Sequence, residues 1–355
     1  MSATTGGFVC AHHHLYSALA RGMPAPPAVP HDFLSVLQQI WWRLDAALDL
    51  EIIHWSAALG AAEAVLSGTT AIIDHHESPM AIEGSLDAIA AGCALVGLRV
   101  IPSYGVTDRW SDAGVLTDVK PSDKMTAGAR RGLAENERYL ASGRRAMVGL
   151  HATFTCTSET LDAAADLARR FGVGVHVHVS EGPDDAGAAT RLAHLADENW
   201  LLVHCVGLDS DLPGTIVHNP RSNMNNDVGY AQPTRFGNRV VLGTDGIGAD
   251  MAEEFRLAFV AGRDHVLSFS PDTAYSWLAN GWDLVPEARN DVVTWNYDHM
   301  DSAWHLAFTP GTRPLDVVIE GRQIVKDAQP VTFDLEEIRR KAAEQAVRLH
   351  ERLAA

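Results

Sequence analysis

The chain has 355 residues, 45 acidic against 28 basic side chains, and a formal net charge of −17. That balance argues against a nucleic-acid partner, which would need clustered Lys and Arg. Four scattered cysteines, Cys10, Cys93, Cys156 and Cys205, form no CxxC pair and read as reduced thiols rather than a disulfide framework. No basic segment followed by an apolar stretch opens the chain, and no apolar run reaches membrane-span length. A cytoplasmic protein with no membrane contact is the expectation.

Strand-like and helix-like segments alternate along most of the chain. Phe8–Ala11 reads as a first strand, and Phe33–Leu66 has helical periodicity around the pair Trp41-Trp42. Thr69–His76 is a second strand, Ile82–Gly97 a helix and Leu98–Tyr104 a third strand. Ser122–Ser142 is predicted helical with Ser122 as its cap, and Ala146–Thr153 is a fourth strand. A helix over Ser158–Arg170 is introduced by Thr157 and stopped near Gly172. Val173–Val179 is a fifth strand followed by helical Asp184–Ala196. Leu201–Val206, Gly214–His218 and Arg239–Gly243 complete a set of eight, the sixth and seventh joined by a link too short for a full helix.

This pattern predicts an α/β fold, a parallel (β/α)8 TIM-type barrel. A doubly wound sheet also fits the alternation. It would not naturally bring the ends of strands one, five, six and eight to one point, whereas a barrel does. Past Asp250 the pattern changes. Met251–Phe259 and Pro271–Leu278 look helical, and Asn290–Trp295 and Leu315–Val325 look like strands, the latter with a Glu-Gly turn. Leu335–Leu353 is a charged amphipathic terminal helix. The expected division is a barrel over 6–285 and, over 286–355, residual β-sandwich strands with the terminal helix.

Histidines and acids stand at these strand ends. His12 and His14 are two apart, so in a strand they share a face, and His13 points away. His176 and His178 also share a face. His178 lies nearer the C-terminal end, where barrel sites form, and His176 fills a lower layer. Glu181 follows just past that strand, His204 ends the sixth and Asp245 follows the eighth. Each has a bland reading taken singly: an idle HxH pair, a loop acid, a satisfied buried histidine, a helix N-cap. All of them at strand ends, in barrel order, favours one divalent ion. Imidazoles with one carboxylate suit Zn²⁺, and also Fe²⁺. Such an ion brings the pKa of a bound water to about 7. Asp245 can take that water's proton, Glu181 can carry one to a substrate nitrogen, and His204 can orient the nucleophile or hold developing charge.

The chain resembles the amidohydrolase superfamily. Within it, the chain looks most like the mononuclear branch of SsnA-like aminohydrolases, S-adenosylhomocysteine and guanine deaminases and triazine hydrolases. The resemblance runs from about residue 6 to about 330. It is carried by Gly7-Phe8-Val9-Cys10-Ala11-His12-His13-His14-Leu15-Tyr16-Ser17, Asp74-His75-His76-Glu77-Ser78, His178-Val179-Ser180-Glu181, His204-Cys205 and Gly243-Thr244-Asp245-Gly246. The most specific part is His218-Asn219-Pro220-Arg221-Ser222-Asn223-Met224-Asn225-Asn226.

The resemblance implies His12, His14, His178 and Asp245 as metal ligands, and Glu181 and His204 as the proton-handling pair. It also implies His151 as a substrate-facing residue, whose alternative is a structural strand-end histidine. With no lysine at the fourth strand, one metal is implied. Relatives begin further upstream with half of a β-sandwich, so the strands around Leu315–Val325 are expected to leave an exposed edge or to be covered in a homodimer. The implied activity is hydrolysis of a non-peptide C–N bond, chiefly deamination of a small nitrogen heterocycle. Ring opening or dehalogenation at the same site are alternatives, as is a non-hydrolytic or turnover-deficient metal protein. Trp41, Trp42, Tyr104 and Trp110 fall near the presumed mouth and carry no assigned role.

Overall fold

The computed structural model describes residues 2–110 and 124–354. Two sheets organise it. The smaller is antiparallel and runs β1 (Thr4–Thr5), β11 (Val292–Trp295), β12 (Pro314–Ile319), β13 (Arg322–Lys326) and β14 (Gln329–Pro330) in spatial order. The larger is parallel. Its strands are β2 (Phe8–His14), β3 (Thr69–His76), β4 (Arg99–Val106), β5 (Val148–Ala152), β6 (Val175–Val179), β7 (Leu201–His204), β8 (Thr215–His218), β9 (Val240–Leu242) and β10 (Asp245–Gly246). Each of β2 to β8 pairs with the next, and β10 pairs with β2. β9 and β10 are one chain segment interrupted at Gly243-Thr244. Gly243 donates to the His218 carbonyl and Thr244 to the His12 carbonyl, which closes the ring.

The barrel is filled rather than hollow. Val9, Ala11, Ala71, Ile73, Ile101, Met147, Leu201, Val203, Val217 and Val241 form one buried cluster in its lumen. Outward residues of the same strands, such as Cys10, Ile72, Leu150, Val177 and Leu202, join the larger core beneath the helices. Burying each aliphatic side chain contributes about 1.5–3 kcal/mol. The lumen plug therefore fixes the strand ends above it.

Two departures from strand alternation place the site. Val9 and Ala11 face inward, so strict alternation would put His12 and His14 outside. The register of β2 against β3 shifts between Cys10 and His13, where the chain gains one residue over its partner. This bulge reverses the phase, and His12 and His14 turn into the lumen. On β7, Leu201 and Val203 face inward, which would send His204 out. His204 and Cys205 instead adopt φ of 68° and 54°, in the left-handed region, and the imidazole swings back over the barrel mouth.

The expected helix over Phe33–Leu66 is broken in two places. Leu37–Trp41 is a π-turn, and the chain is extended at Asp49, whose carboxylate caps Leu50–Leu66 by accepting from Ile52 N at 2.9 Å. Thr157 and Gly172 bound Ser158–Phe171 as predicted, Gly172 at φ 65°. The predicted cap Ser122 lies outside the described residues. The helix that follows is Ala127–Ala141, capped by Thr126. Asp184–Ala196 is shorter than expected, a 3₁₀ turn at Pro183–Asp185 and a helix at Ala188–Leu192.

Glu320-Gly321, at φ of 51° and 75°, forms the predicted hairpin turn between β12 and β13. The edge of β11 is not open: Thr4–Thr5 pairs with it. The terminal helix Leu335–Ala354 packs on the barrel instead. Arg348 and Arg352 reach Asp49 at 2.8 and 2.6 Å, and His350 meets the Leu19 carbonyl at 3.0 Å. Among the described residues no helix is long and apolar enough to cross a membrane.

Candidate metal centre and active-site cavity

At the C-terminal ends of the strands, donors converge around Asp245. Its Oδ1 lies 3.0 Å from both His12 Nε2 and His14 Nε2. Donor atoms of His12, His178, His204 and Asp245 all lie within 4.8 Å of one another, as do those of His14, His75 and His178. The His14 and His178 rings stack at 5.4 Å, and His12 meets His178 edge-on at 5.0 Å. The four residues implied as ligands are thus brought together.

Hydrogen bonds behind the ring decide which nitrogens face the centre. His14 Nδ1 donates to the His75 carbonyl at 2.6 Å, and His178 Nδ1 donates to the His151 carbonyl at 2.7 Å. In the neutral form each turns the lone pair of Nε2 to the centre. His12 is set through a relay. Ser103 Oγ donates to the Asp74 carbonyl at 2.9 Å, so its oxygen accepts from His176 Nδ1 at 3.3 Å. His176 Nε2 then accepts from His12 Nδ1 at 2.8 Å, and the His12 Nε2 lone pair faces Asp245. His176 fills the lower layer as expected, and its role is to orient His12. Replacing His176 by Leu is expected to weaken metal binding by about 10–100-fold. Competition against a chelator reads this directly, and an unchanged affinity would remove the relay.

The electrostatics suit a cation. Burial lowers the His12 and His178 imidazoles well below their ordinary values, which keeps them neutral. Burial opposes ionisation of Asp245 too, but the His12 and His14 imidazoles beside it outweigh that and hold it well below the carboxylate range. At His14 burial is overcome by the Asp245 carboxylate, which pushes the imidazole up to about 9. Positive charge is therefore favoured in front of Asp245. The backbone there is strained, with Asp245 at φ 60° and Ile247 at φ 53°. Gly243 is required by crowding: a Cβ would stand 2.5 Å from Asn219 Oδ1 and 2.8 Å from His12 Cβ.

His204 and Glu181 face each other across the centre, Nε2 to Oε2 at 3.4 Å, and His204 Nε2 is 4.0 Å from Asp245 Oδ2. His204 Nδ1 is bound to Asn223 Oδ1 at 2.8 Å, leaving a buried Nε2 with no hydrogen bond, aimed at this space. Burial raises the Glu181 carboxyl to about 7, against the pull of His204. His13 stands outside the ring, bound to Thr244 Oγ1 at 2.9 Å.

The His-Asn-Pro-Arg-Ser-Asn-Met-Asn-Asn run proves to be the scaffold of the site, a role its residue types alone did not reveal. Ser222 hydrogen-bonds Asp245 Oδ2, Asn223 holds His204, and Asn226 donates to Glu181 Oε1 at 3.5 Å. Arg221 ties down the loop after Asp245 through the carbonyls of Thr244, at 3.2 Å, and Ile247, at 2.6 Å. The helix carrying these groups, Pro220–Asn225, starts at a proline in its first turn.

The centre opens into a cavity lined by His14, His178, Glu181 and Asp245 on one side. Tyr16, Phe33, Leu37, Trp41, Trp42, Asp45, Glu77, His151 and Phe154 line it as well, with Asp184 and Asp185 among the further residues of its wall. His151 faces the cavity as implied, with Nδ1 bound to Thr155 Oγ1 at 2.7 Å. Trp41 and Trp42 line it, whereas Tyr104 and Trp110 line a smaller pocket beside it. Asp45 and Glu77 were not anticipated. An isolated acid in a helix and another beyond a strand carry no spacing signal.

A relative from Pelotomaculum thermopropionicum, a 5-methylthioadenosine/S-adenosylhomocysteine deaminase, is 29% identical over 97% of this chain and 85% of its own length. A 5'-deoxyadenosine deaminase from Methanopyrus kandleri is 31% identical over 71% of this chain and 60% of its own. Among solved structures, a zinc-bound adenosine deaminase from Xanthomonas campestris superposes with a TM-score of 0.80 at 18% identity, covering 99% of this chain and 86% of that one. The zinc complex of an atrazine chlorohydrolase from Arthrobacter aurescens gives 0.81 at 20% identity, covering 97% and 88%. These two likenesses bear out the TIM-type barrel. With the sequence pattern described as Amidohydrolase family matching residues 4–278, the chain belongs to that family.

Proposed function

We propose that this protein is a metal-dependent hydrolase that deaminates a nitrogen heterocycle. His12, His14, His178 and Asp245 hold one divalent ion, zinc by preference. The neutral imidazoles with one carboxylate fit it, and zinc is the ion bound in the two structures named above. Such an ion supplies a Lewis acid that acidifies water. The chain's own residues do the rest. His204, its Nδ1 proton committed to Asn223, accepts a hydrogen bond from the attacking water at Nε2 and orients it. Asp245 takes the water's proton through Oδ2. Glu181, raised to about 7, gives a proton to the ring nitrogen, takes the proton of the added hydroxyl and passes it to the departing amine, and is recharged with the proton that Asp245 took. His151 and the aromatic walls hold the ring.

The observation that carries this reading is Glu181 and His204 at 3.4 Å, facing Asp245 at the mouth of a cavity with aromatic walls. The test is metal analysis of purified protein with an ammonia-release screen over purines, pyrimidines, pterins and triazines. About one metal per chain with ammonia from a heterocycle is expected. Metal without ammonia from any of them would sink the deaminase reading. Carboxylate or chloride release would then identify ring opening or dehalogenation.

A further inference from the structure

The turn that carries Glu181 is held by more than the strand it leaves. Ser180, the residue before Glu181, has φ 46°, in the left-handed region that a side chain disfavours. All three of its polar groups are committed. Its N–H donates to Asp185 Oδ2 at 2.7 Å, its hydroxyl donates to the Asp185 carbonyl at 3.3 Å, and its own carbonyl accepts from Gly207 N at 2.8 Å. Two of these three bonds go to Asp185. Beyond Glu181 the turn is pressed against the cavity wall. A Cβ at Gly182 would stand 2.4 Å from Phe33 Cδ1, so a side chain there would have to push Phe33 or the turn aside.

Asp185 also reaches the next strand. Its Oδ1 accepts from Phe154 N at 2.9 Å and from the Thr153 hydroxyl. Thr153 and Phe154 begin the 3₁₀ turn after β5, two residues beyond His151, and Phe154 lines the cavity. Arg191 ties the same turn down through the carbonyls of Thr153 and Cys156, the latter at 2.8 Å. Asp185 is only 3% exposed, and its two carboxyl oxygens serve three protein donors. It borders the cavity but is spent on the protein. Burial, opposed by these hydrogen bonds, raises its carboxyl to about 6, so near neutrality it is mostly ionised and accepts from all three.

We infer that Asp185 is a positioning residue: it clamps Ser180 to the Thr153–Phe154 turn and so fixes Glu181 opposite His204 and against the wall that holds the substrate. The assignment rests on the hydrolase reading above for the role of Glu181. Without the clamp, Ser180 relaxes toward an ordinary φ, and Glu181 leaves its 3.4 Å approach to His204. Asp185 acts through the backbone, so its loss changes the rate through Glu181 and not the binding of substrate.

Asp185→Asn is the direct test, because an amide has one acceptor oxygen where two are needed and turns a donor toward Ser180 N or Phe154 N. With the most rapidly deaminated compound of the screen above, kcat is expected to fall about 10–100-fold, with KM within about threefold and zinc content unchanged. In the Glu181→Gln background the same change should cost about threefold or less, because the group it places is already gone. An equal fall in both backgrounds would overturn the inference. So would a rise in KM with kcat kept, or a loss of zinc. If Asp185→Asn does not fold, Thr153→Val, which removes one donor to Oδ1, takes its place, and full kcat in that protein would overturn the clamp. If no compound of the screen gives ammonia, deamination fails, and amide exchange of the zinc-loaded protein decides on the clamp alone. Asp185→Asn should then speed exchange about tenfold or more over residues 153–156 and 180–185, with the other barrel strands unchanged. Unaltered exchange in those two segments would overturn it.

Discussion

Replacing Glu181 by Gln is expected to lower kcat by about 10²–10⁴-fold with metal content unchanged. Gln has the shape of Glu and keeps an oxygen for Asn226, which donates to Glu181 Oε1 at 3.5 Å. It cannot release or accept the proton that a departing amine needs. Burial, opposed by His204, puts the native carboxyl at about 7, so near neutrality it carries a proton part of the time and can cycle it. Glu181 makes no contact with Asp245, His12 or His14 of hydrogen-bond length, and its nearest charged-group partner is His204 at 3.4 Å. The measurement is steady-state ammonia release at saturating substrate beside metal analysis of the same preparation. Full rate in the variant would end the assignment. Joint loss of rate and metal would move Glu181 from proton transfer to ion holding.

Replacing Arg109 by Leu is expected to cost about 3–5 kcal/mol of stability. The guanidinium is fully buried between two tryptophans and is shared by two buried acids, Asp45 and Glu77. Desolvation already raises Asp45 to about 6 and Glu77 to about 8, with Arg109 pulling both down. Without the arginine, burial acts unopposed and both carboxyls rise further. A carboxyl raised in the folded state binds its proton more tightly there than in the unfolded chain. It therefore favours the folded state at low pH and loses that advantage as pH rises through the folded value. The deficit of the variant should grow between pH 5 and 8. Urea midpoints across that range read it. Combining Arg109→Leu with Asp45→Asn and Glu77→Gln should recover part of the loss, since no ionisable acid is then left unpaired. A single-variant loss below about 1 kcal/mol would mean that the cluster behaves like a surface pair.

The site was legible in the sequence to an uneven degree. His176, His178 and Asp245 lie where strand alternation and barrel order predict. On β6 the inward phase of His176 and His178 is unbroken, with Val175, Val177 and Val179 facing the helices. For His12, His14 and His204, alternation gives no account of the inward aim. Their inward aim depends on the bulge after Cys10 and on the left-handed backbone at residues 204 and 205. The predicted helix over Phe33–Leu66 missed the π-turn and the Asp49 cap that set Trp41, Trp42 and Asp45 against the cavity. The motif from His218 to Asn226 was visible as a motif, but its division of labour was not.

By itself the sequence determined which groups are available: imidazoles and one carboxylate at strand ends, apolar strands to fill a barrel, and acids in excess. Hydrophobic periodicity and residue chemistry are local properties, readable one segment at a time. Only the tertiary structure decided the pairing of β10 with β2 that brings Asp245 to His12 and His14. It alone made the relay from Ser103 through His176 to His12, and it alone set Arg109 behind Asp45 and Glu77. Those contacts join residues far apart in the chain. Their geometry comes from register, bulges and burial, which no single segment encodes.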